Sequence, residues 1–190
     1  MGGHDPYSVS KGAAELVISS YRRSFFDGAR IASARAGNVI GGGDWAEDRL
    51  IPDIVRAIMA NESVVIRSPN AVRPRQHVLE ALAGYLLIAQ HLAKGDKWAA
   101  SAWNFGPSSQ DAKSVGWIVD QMIERWGSGS FKADTSEQPH EANMLKLDCS
   151  KAHTELGWRP AFDLSRTVEW IIDWHKKVHE RVDALTVSRN

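Results

Sequence analysis

Tyr7 and Lys11, in the run Asp5-Pro6-Tyr7-Ser8-Val9-Ser10-Lys11, stand four residues apart, the spacing that puts two side chains on one face of a helix. An ammonium beside a phenol favours the phenolate. A phenolate can take a proton from a sugar hydroxyl as a general base. The same spacing also arises as a surface lysine beside a half-buried tyrosine, so the surroundings decide between the two. Asp5 can cap a helix, Pro6 suits its first position, and Val9, Ala13, Leu16, Val17 and Tyr21 follow at helical spacing. Gly28 supplies a stop, and Ile31-Ala32-Ser33-Ala34-Arg35 reads as a short buried strand.

The elements that must position this pair alternate along the rest of the chain. Leu50, Ile51, Ile54, Val55, Ile58 and Met59 form one amphipathic helix, and Val64-Val65-Ile66-Arg67 a strand after Asn61. Val78 to Leu92 is apolar over a broad face, which predicts a deeply buried helix. Ala102-Trp103-Asn104-Phe105-Gly106 is a second strand, stopped by Gly106-Pro107. Ser114 caps a helix with Val115, Ile118, Val119, Met122, Ile123 and Trp126 on one stripe, and the last long helix carries Leu164, Val168, Ile171, Ile172, His175 and Val178. The alternation predicts an α/β fold.

The 190 residues suffice for one domain with a sizeable core, and 43% hydrophobic with 24% charged residues is an ordinary globular composition. Lys and Arg balance Asp and Glu at 23 each, which gives no reason to expect nucleic acid or an anionic membrane as partner. No apolar run approaches the length of a membrane span. The lone Cys149 cannot form an internal disulfide, consistent with a reducing cytoplasm. It sits where Leu147-Asp148-Cys149-Ser150-Lys151 reads as a strand end entering a helix capped by Ser150, so we take it as structural. His175 and His179 stand four apart without a carboxylate-rich metal motif around them, and His175 lies on an apolar stripe, so no metal is expected. The eight tryptophans read as core and pocket lining rather than a nucleic-acid stacking surface.

Longer motifs carry a resemblance. Ala36-Gly37-Asn38-Val39-Ile40-Gly41-Gly42-Gly43-Asp44-Trp45, Arg73-Pro74-Arg75-Gln76-His77-Val78, His140-Glu141-Ala142 and Leu156-Gly157-Trp158-Arg159-Pro160, with the Tyr-x-x-x-Lys helix, make the chain resemble the extended short-chain dehydrogenase/reductase family, from Gly2 to about Lys177. Within it the match is to nucleotide-sugar 4,6-dehydratases. The resemblance implies the C-terminal part of a Rossmann-like fold with a smaller substrate-binding lobe. The remaining Rossmann strands would fall at about 1–45 and 72–108, interleaved with a lobe at about 46–71 and 109–182. Members of the family open on a Gly-rich turn for the dinucleotide pyrophosphate. The cluster Gly41-Gly42-Gly43 lacks that spacing, so the chain is expected to be the C-terminal portion of a longer enzyme, to bind NAD weakly or not at all, and to turn over poorly or not at all alone.

The resemblance also implies roles. Tyr7 would be the catalytic base, with Lys11 keeping its phenol acidic, and both would bind NAD, Lys11 at the ribose. Asn38, Arg73, Arg75, Asn104 and His140 would line the nucleotide-sugar site. Asn38 next to glycine could instead serve turn-making, and Arg75 could instead be a solvated surface charge. Ala142 and Asn143 stand where dTDP-sugar relatives carry arginines, which favours a CDP-sugar as substrate. The implied reaction is dehydration of CDP-D-glucose to CDP-4-keto-6-deoxy-D-glucose by a cytoplasmic homodimer serving deoxysugar and polysaccharide synthesis. A sugar-nucleotide epimerase and a non-catalytic nucleotide-sugar-binding remnant remain the alternatives.

Overall fold

The computed structural model describes residues 5–25, 30–134 and 147–189. It is α/β, with strand pairs among helices, and divides into two compact units.

The first unit comprises Met1–Arg35, Leu82–Phe105 and Cys149–Arg159. Helix α1 (Pro6–Ser24) begins as its sequence predicts. Asp5 Oδ1 accepts from Ser8 N at 2.9 Å, and Ser8 Oγ donates to Asp5 Oδ2 at 2.6 Å. These bonds, the hydroxyl's first, favour the carboxylate and hold Asp5 below the usual carboxylate range. Gly28, the expected stop, lies outside the described residues, and the last turn closes with Phe25 N donating to Tyr21 O at 3.0 Å.

Strand β1 (Ser33–Ala36) starts two residues later than expected and is less buried, because Ser33 is the one buried residue of its four. Ser33 Oγ donates to Glu15 Oε2 of α1 at 2.9 Å, so a polar contact joins strand to helix. The partner of β1 is β5 (Ala102–Phe105). Within β5, Trp103 and Phe105 are fully buried. The Trp103 indole donates to Ala99 O at 2.9 Å, and the ammonium of Lys151, from α5 (Ser150–Glu155), lies 4.0 Å from the centre of its ring system. The residue at the α5 N-cap is Cys149 rather than Ser150, with no side-chain cap bond, and Cys149 is buried.

Helix α3 (Val78–Lys94) forms where expected but is not deeply buried. Ala81, Gly84 and Ile88 face inward, whereas Leu79, Leu82, Tyr85 and Leu86 are exposed, Leu86 by 71%. A helix that is apolar on more than one side shows breadth of hydrophobicity in its sequence, but not which side is covered.

The second unit comprises Ala36–Ala81, Gly106–Asp148 and Pro160–Asn190. Strand β2 (Asn38–Ile40) pairs in parallel with β4 (Arg75–His77), setting Asn38 opposite Arg75. Strand β3 (Ser63–Ile66) pairs in parallel with β6 (Ser130–Ala133). Helices α2 (Leu50–Met59), α4 (Val115–Trp126) and α6 (Leu164–His179) supply the core around Ile54, Val55, Ile118, Val119, Val168 and Ile171. Burying each such side chain contributes about 1.5–3 kcal/mol. The Ser114 hydroxyl caps α4 by accepting from Trp117 N at 3.2 Å, and α4 ends at Gly127 in the left-handed conformation. Asp163 caps α6, and the approach to it is fixed by the buried Glu80, whose Oε1 accepts from Ala161 N at 2.9 Å and Phe162 N at 2.8 Å. The short helix α7 (Ala184–Arg189) follows. Among the described residues, no helix is long and apolar enough to cross a membrane.

Candidate active site

The first unit carries Tyr7 and Lys11 in the opening turns of α1. Lys11 Nζ stands 5.2 Å from the centre of the Tyr7 ring, and Tyr7 is 71% exposed. The Asp5 cap and Pro6 fix the backbone beneath both residues. The arrangement can present a phenol and an ammonium together to a reactant that approaches from solvent. Asn104, the third candidate in this unit, lies half-buried in β5.

The second unit carries Asn38, Arg73 and Arg75. Asn38 N donates to Pro74 O at 3.1 Å, while its side chain is exposed. The chain runs so close to its neighbour here that a Cβ on Gly37 would lie 3.1 Å from Pro74 O. Arg75, opposite Asn38 in the register, is only 5% exposed, so it is not the solvated charge that the sequence left open. Among the described residues its Nη1 is buried without a hydrogen-bond partner. Burial first, and the like charge of Arg73 second, pull its guanidinium down to about 10. It therefore stays cationic at neutral pH. A buried cation without a counter-charge is costly to keep, and an anion would relieve it. Two guanidiniums beside an amide form a donor set that suits a diphosphate.

His140 lies outside the described residues. His77, in the same strand as Arg75, is given over to packing. Its Nδ1 accepts from Leu79 N at 3.3 Å, and the rings of Phe162 and Trp170 meet its ring, each at 5.9 Å between centres. Burial lowers its affinity for a proton.

Sequence reasoning missed what surrounds the loop that leaves β2. Trp174 lies against Gly42, and Trp45 edges onto His175. Three consecutive glycines just before a tryptophan were the available signal, since glycine marks places where another group comes close to the backbone.

The sequence model of the NAD dependent epimerase/dehydratase family matches residues 2–106. The chain is 52% identical to a CDP-glucose 4,6-dehydratase of Salmonella typhimurium, over all of this chain and 55% of that protein. It is 26% identical to a dTDP-glucose 4,6-dehydratase of Streptomyces antibioticus, over 91% of this chain and 49% of that one. The chain thus spans about half the length of the curated relatives it matches. Among solved structures, a dTDP-glucose 4,6-dehydratase from Streptomyces venezuelae with NAD bound superposes with a TM-score of 0.76 at 21% identity, over 95% of this chain and 53% of that one. A UDP-glucuronic acid 4-epimerase from Bacillus cereus, in complex with UDP-glucuronic acid and NAD, gives 0.77 at 21% identity, over 92% and 53%. These two likenesses establish the Rossmann-like fold. With its family model matched over more than half its length, the chain belongs to the NAD dependent epimerase/dehydratase family.

Proposed function

We propose that this chain supplies the catalytic helix and the nucleotide-sugar cradle of a CDP-glucose 4,6-dehydratase that works with NAD. The observation that carries the reading is Arg75, a buried cation that pairs with no carboxylate among the described residues and whose Nη1 has no hydrogen-bond partner among them, set opposite Asn38 and near Arg73. Such a group awaits an anion, and the diphosphate of a nucleotide sugar has the charge and the oxygens to meet it. The 52% identity to a CDP-glucose 4,6-dehydratase supports cytidine as the base and dehydration as the reaction.

Asn38, Arg73 and Arg75 hold the diphosphate, with Asn104 and His140 lining the nucleotide site. Tyr7 takes the proton of the 4-hydroxyl of glucose. Lys11 donates to the ribose of the cofactor and favours the phenolate by its charge. Among the described residues its ammonium pairs with no carboxylate, so its donors remain available for hydroxyls. NAD, held at its ribose by Lys11, would supply reversible hydride transfer, between carbon 4 and carbon 6 of the sugar. Once carbon 4 is a ketone the hydrogen on carbon 5 is acidic, so water leaves across carbons 5 and 6. The product is CDP-4-keto-6-deoxyglucose. The reading places the protein in the cytoplasm, as a homodimer.

Incubation of an enzyme that carries this segment with CDP-glucose and NAD, followed by NMR, tests the proposal. A new methyl group at carbon 6 and a ketone at carbon 4 are expected, whereas CDP-galactose would mark a 4-epimerase. Tyr7→Phe keeps the ring and removes the acid–base oxygen. Turnover should fall about a hundredfold or more, the range that general acid–base catalysis supplies. Near-normal turnover in that variant would remove Tyr7 from the role of base.

A further inference from the structure

The strand that presents Asn38 is three residues long and runs directly into Gly41-Gly42-Gly43. Glycine has the widest backbone freedom of any residue, and Gly43 uses it, with φ at 81°. Left to itself, such an exit would let the end of β2 wander. Contacts from α6 hold it instead. The Trp174 indole lies so close to Gly42 that a Cβ there would come within 2.4 Å of the ring. Beyond the glycines, Trp45 meets the His175 imidazole edge-on, with ring centres 5.0 Å apart and planes at 85°. Trp174 meets the same imidazole at 4.9 Å and 82°. The imidazole is therefore the shared support of two indoles, one in the loop and one packed against the loop's backbone. Trp174 is itself tied to α7, its indole donating to Ser188 Oγ at 2.9 Å, and the Trp45 carbonyl accepts from Arg56 Nη1 at 2.8 Å.

His175 is 1% exposed, and among the described residues neither ring nitrogen has a hydrogen-bond partner. No hydrogen bond among those residues accounts for a histidine at this point. Its ring contacts, to Trp45 and Trp174, converge on the loop that leaves Ile40, two residues beyond Asn38.

We infer that His175 is a positioning residue for the nucleotide-sugar site: with Trp45 and Trp174 it clamps the Gly41–Trp45 loop, and so fixes the C-terminal end of the three-residue strand whose first residue, Asn38, reaches the substrate diphosphate. The inference rests on the assignment of Asn38 and Arg75 to that diphosphate. His175 touches neither substrate nor cofactor in this scheme, so its effect passes through Asn38 and acts on binding rather than on the proton transfer at Tyr7.

A double-mutant cycle with CDP as the titrated probe tests this. His175→Ala should weaken CDP binding about five- to tenfold, as expected for directly coupled neighbours. His175→Phe, which keeps a flat ring between the two indoles, should restore most of the affinity and guards against a variant that merely fails to fold. In the Asn38→Ala background, His175→Ala should have little further effect. Steady-state kinetics with CDP-glucose should show the loss in KM, with kcat within about twofold. Wild-type CDP affinity in His175→Ala, or an undiminished effect of that substitution when Asn38 is already alanine, overturns the clamp. If Asn38→Ala alone leaves CDP affinity unchanged while Arg75→Met weakens it about tenfold or more, the nucleotide cradle stands and the route through Asn38 falls. If neither substitution matters, the cradle itself is wrong.

Discussion

Arg75 opposes stability and binding within a single side chain. Removing one partner of a buried ion pair is destabilising, but replacing a buried charge that lacks a counter-charge with an apolar group of similar shape is often stabilising. Arg75→Met should therefore raise the unfolding temperature of the free protein. It should also weaken CDP binding by about 1.5–3 kcal/mol, the value of a hydrogen bond to a charged group. Thermal unfolding with and without CDP measures both at once, and an Arg75→Met protein that melts lower without ligand would mean the guanidinium is already satisfied. His175 gives a pH signature. Burial pulls it from 6.5 down to about 4, against a smaller opposing effect of Asp44. The unfolded chain therefore binds this proton between about pH 6.5 and 4 while the folded chain does not, so stability is full above that window and falls as the pH drops through it. The shift corresponds to about 3 kcal/mol. Unfolding midpoints across pH 4–7 should fall less steeply in His175→Phe than in the wild type, and equal slopes would show that the imidazole is protonated in the fold.

Among the elements, α3 and β5 meet at a place where two effects oppose each other. Gly84→Ala would gain about 0.8–1 kcal/mol of helix propensity. Its Cβ, however, would come within 2.3 Å of the buried Phe105 ring. Overpacking typically costs about 1–3 kcal/mol, and Phe105 is held by Trp158 at 5.0 Å and Tyr85 at 5.7 Å between ring centres, with little room to retreat. The steric term wins, so Gly84→Ala should lower stability in denaturant titration. A more stable variant would show that Phe105 can move. The same elements show what a sequence can tell. Helices α1, α2, α4 and α6 were legible because apolar residues recur at helical spacing, with Asp5 and Ser114 at two of the starts. Strands β2, β4 and β6 were not. Arg75-Gln76-His77 is buried throughout yet wholly polar, so neither alternation nor an apolar run marks it. That Tyr7 and Lys11 share a helix face was legible from spacing, whereas a catalytic role for them rests on the resemblance. The burial of Arg75 depends on what β2 and the rest of the second unit place around it, and the contacts of His175 join segments more than 120 residues apart, which no local pattern encodes.

For the whole molecule the question is what covers the apolar surface of the first unit. No residue of α1 is buried, although Val9, Ala13, Leu16, Val17 and Tyr21 form a continuous helical stripe. On α3, Leu82, Tyr85 and Leu86 are exposed as well. Contiguous apolar patches beyond roughly a few hundred square ångströms are uncommon on monomeric proteins and mark places where another surface docks. Net charge offers no counterweight, since the 23 basic and 23 acidic residues cancel and leave no long-range repulsion between copies. The 190-residue chain should therefore self-associate in solution at micromolar concentration. Sedimentation velocity should show dimers or larger species whose share grows with concentration. Leu16→Glu combined with Leu86→Glu should shift them toward monomer without loss of secondary structure, because both side chains are already exposed and their replacement leaves the cores of both units intact. A wild-type chain that sediments as a single monomer at every concentration would show that these faces tolerate water unaided, and would remove self-association as the reason that α1 and α3 are apolar on their outer sides.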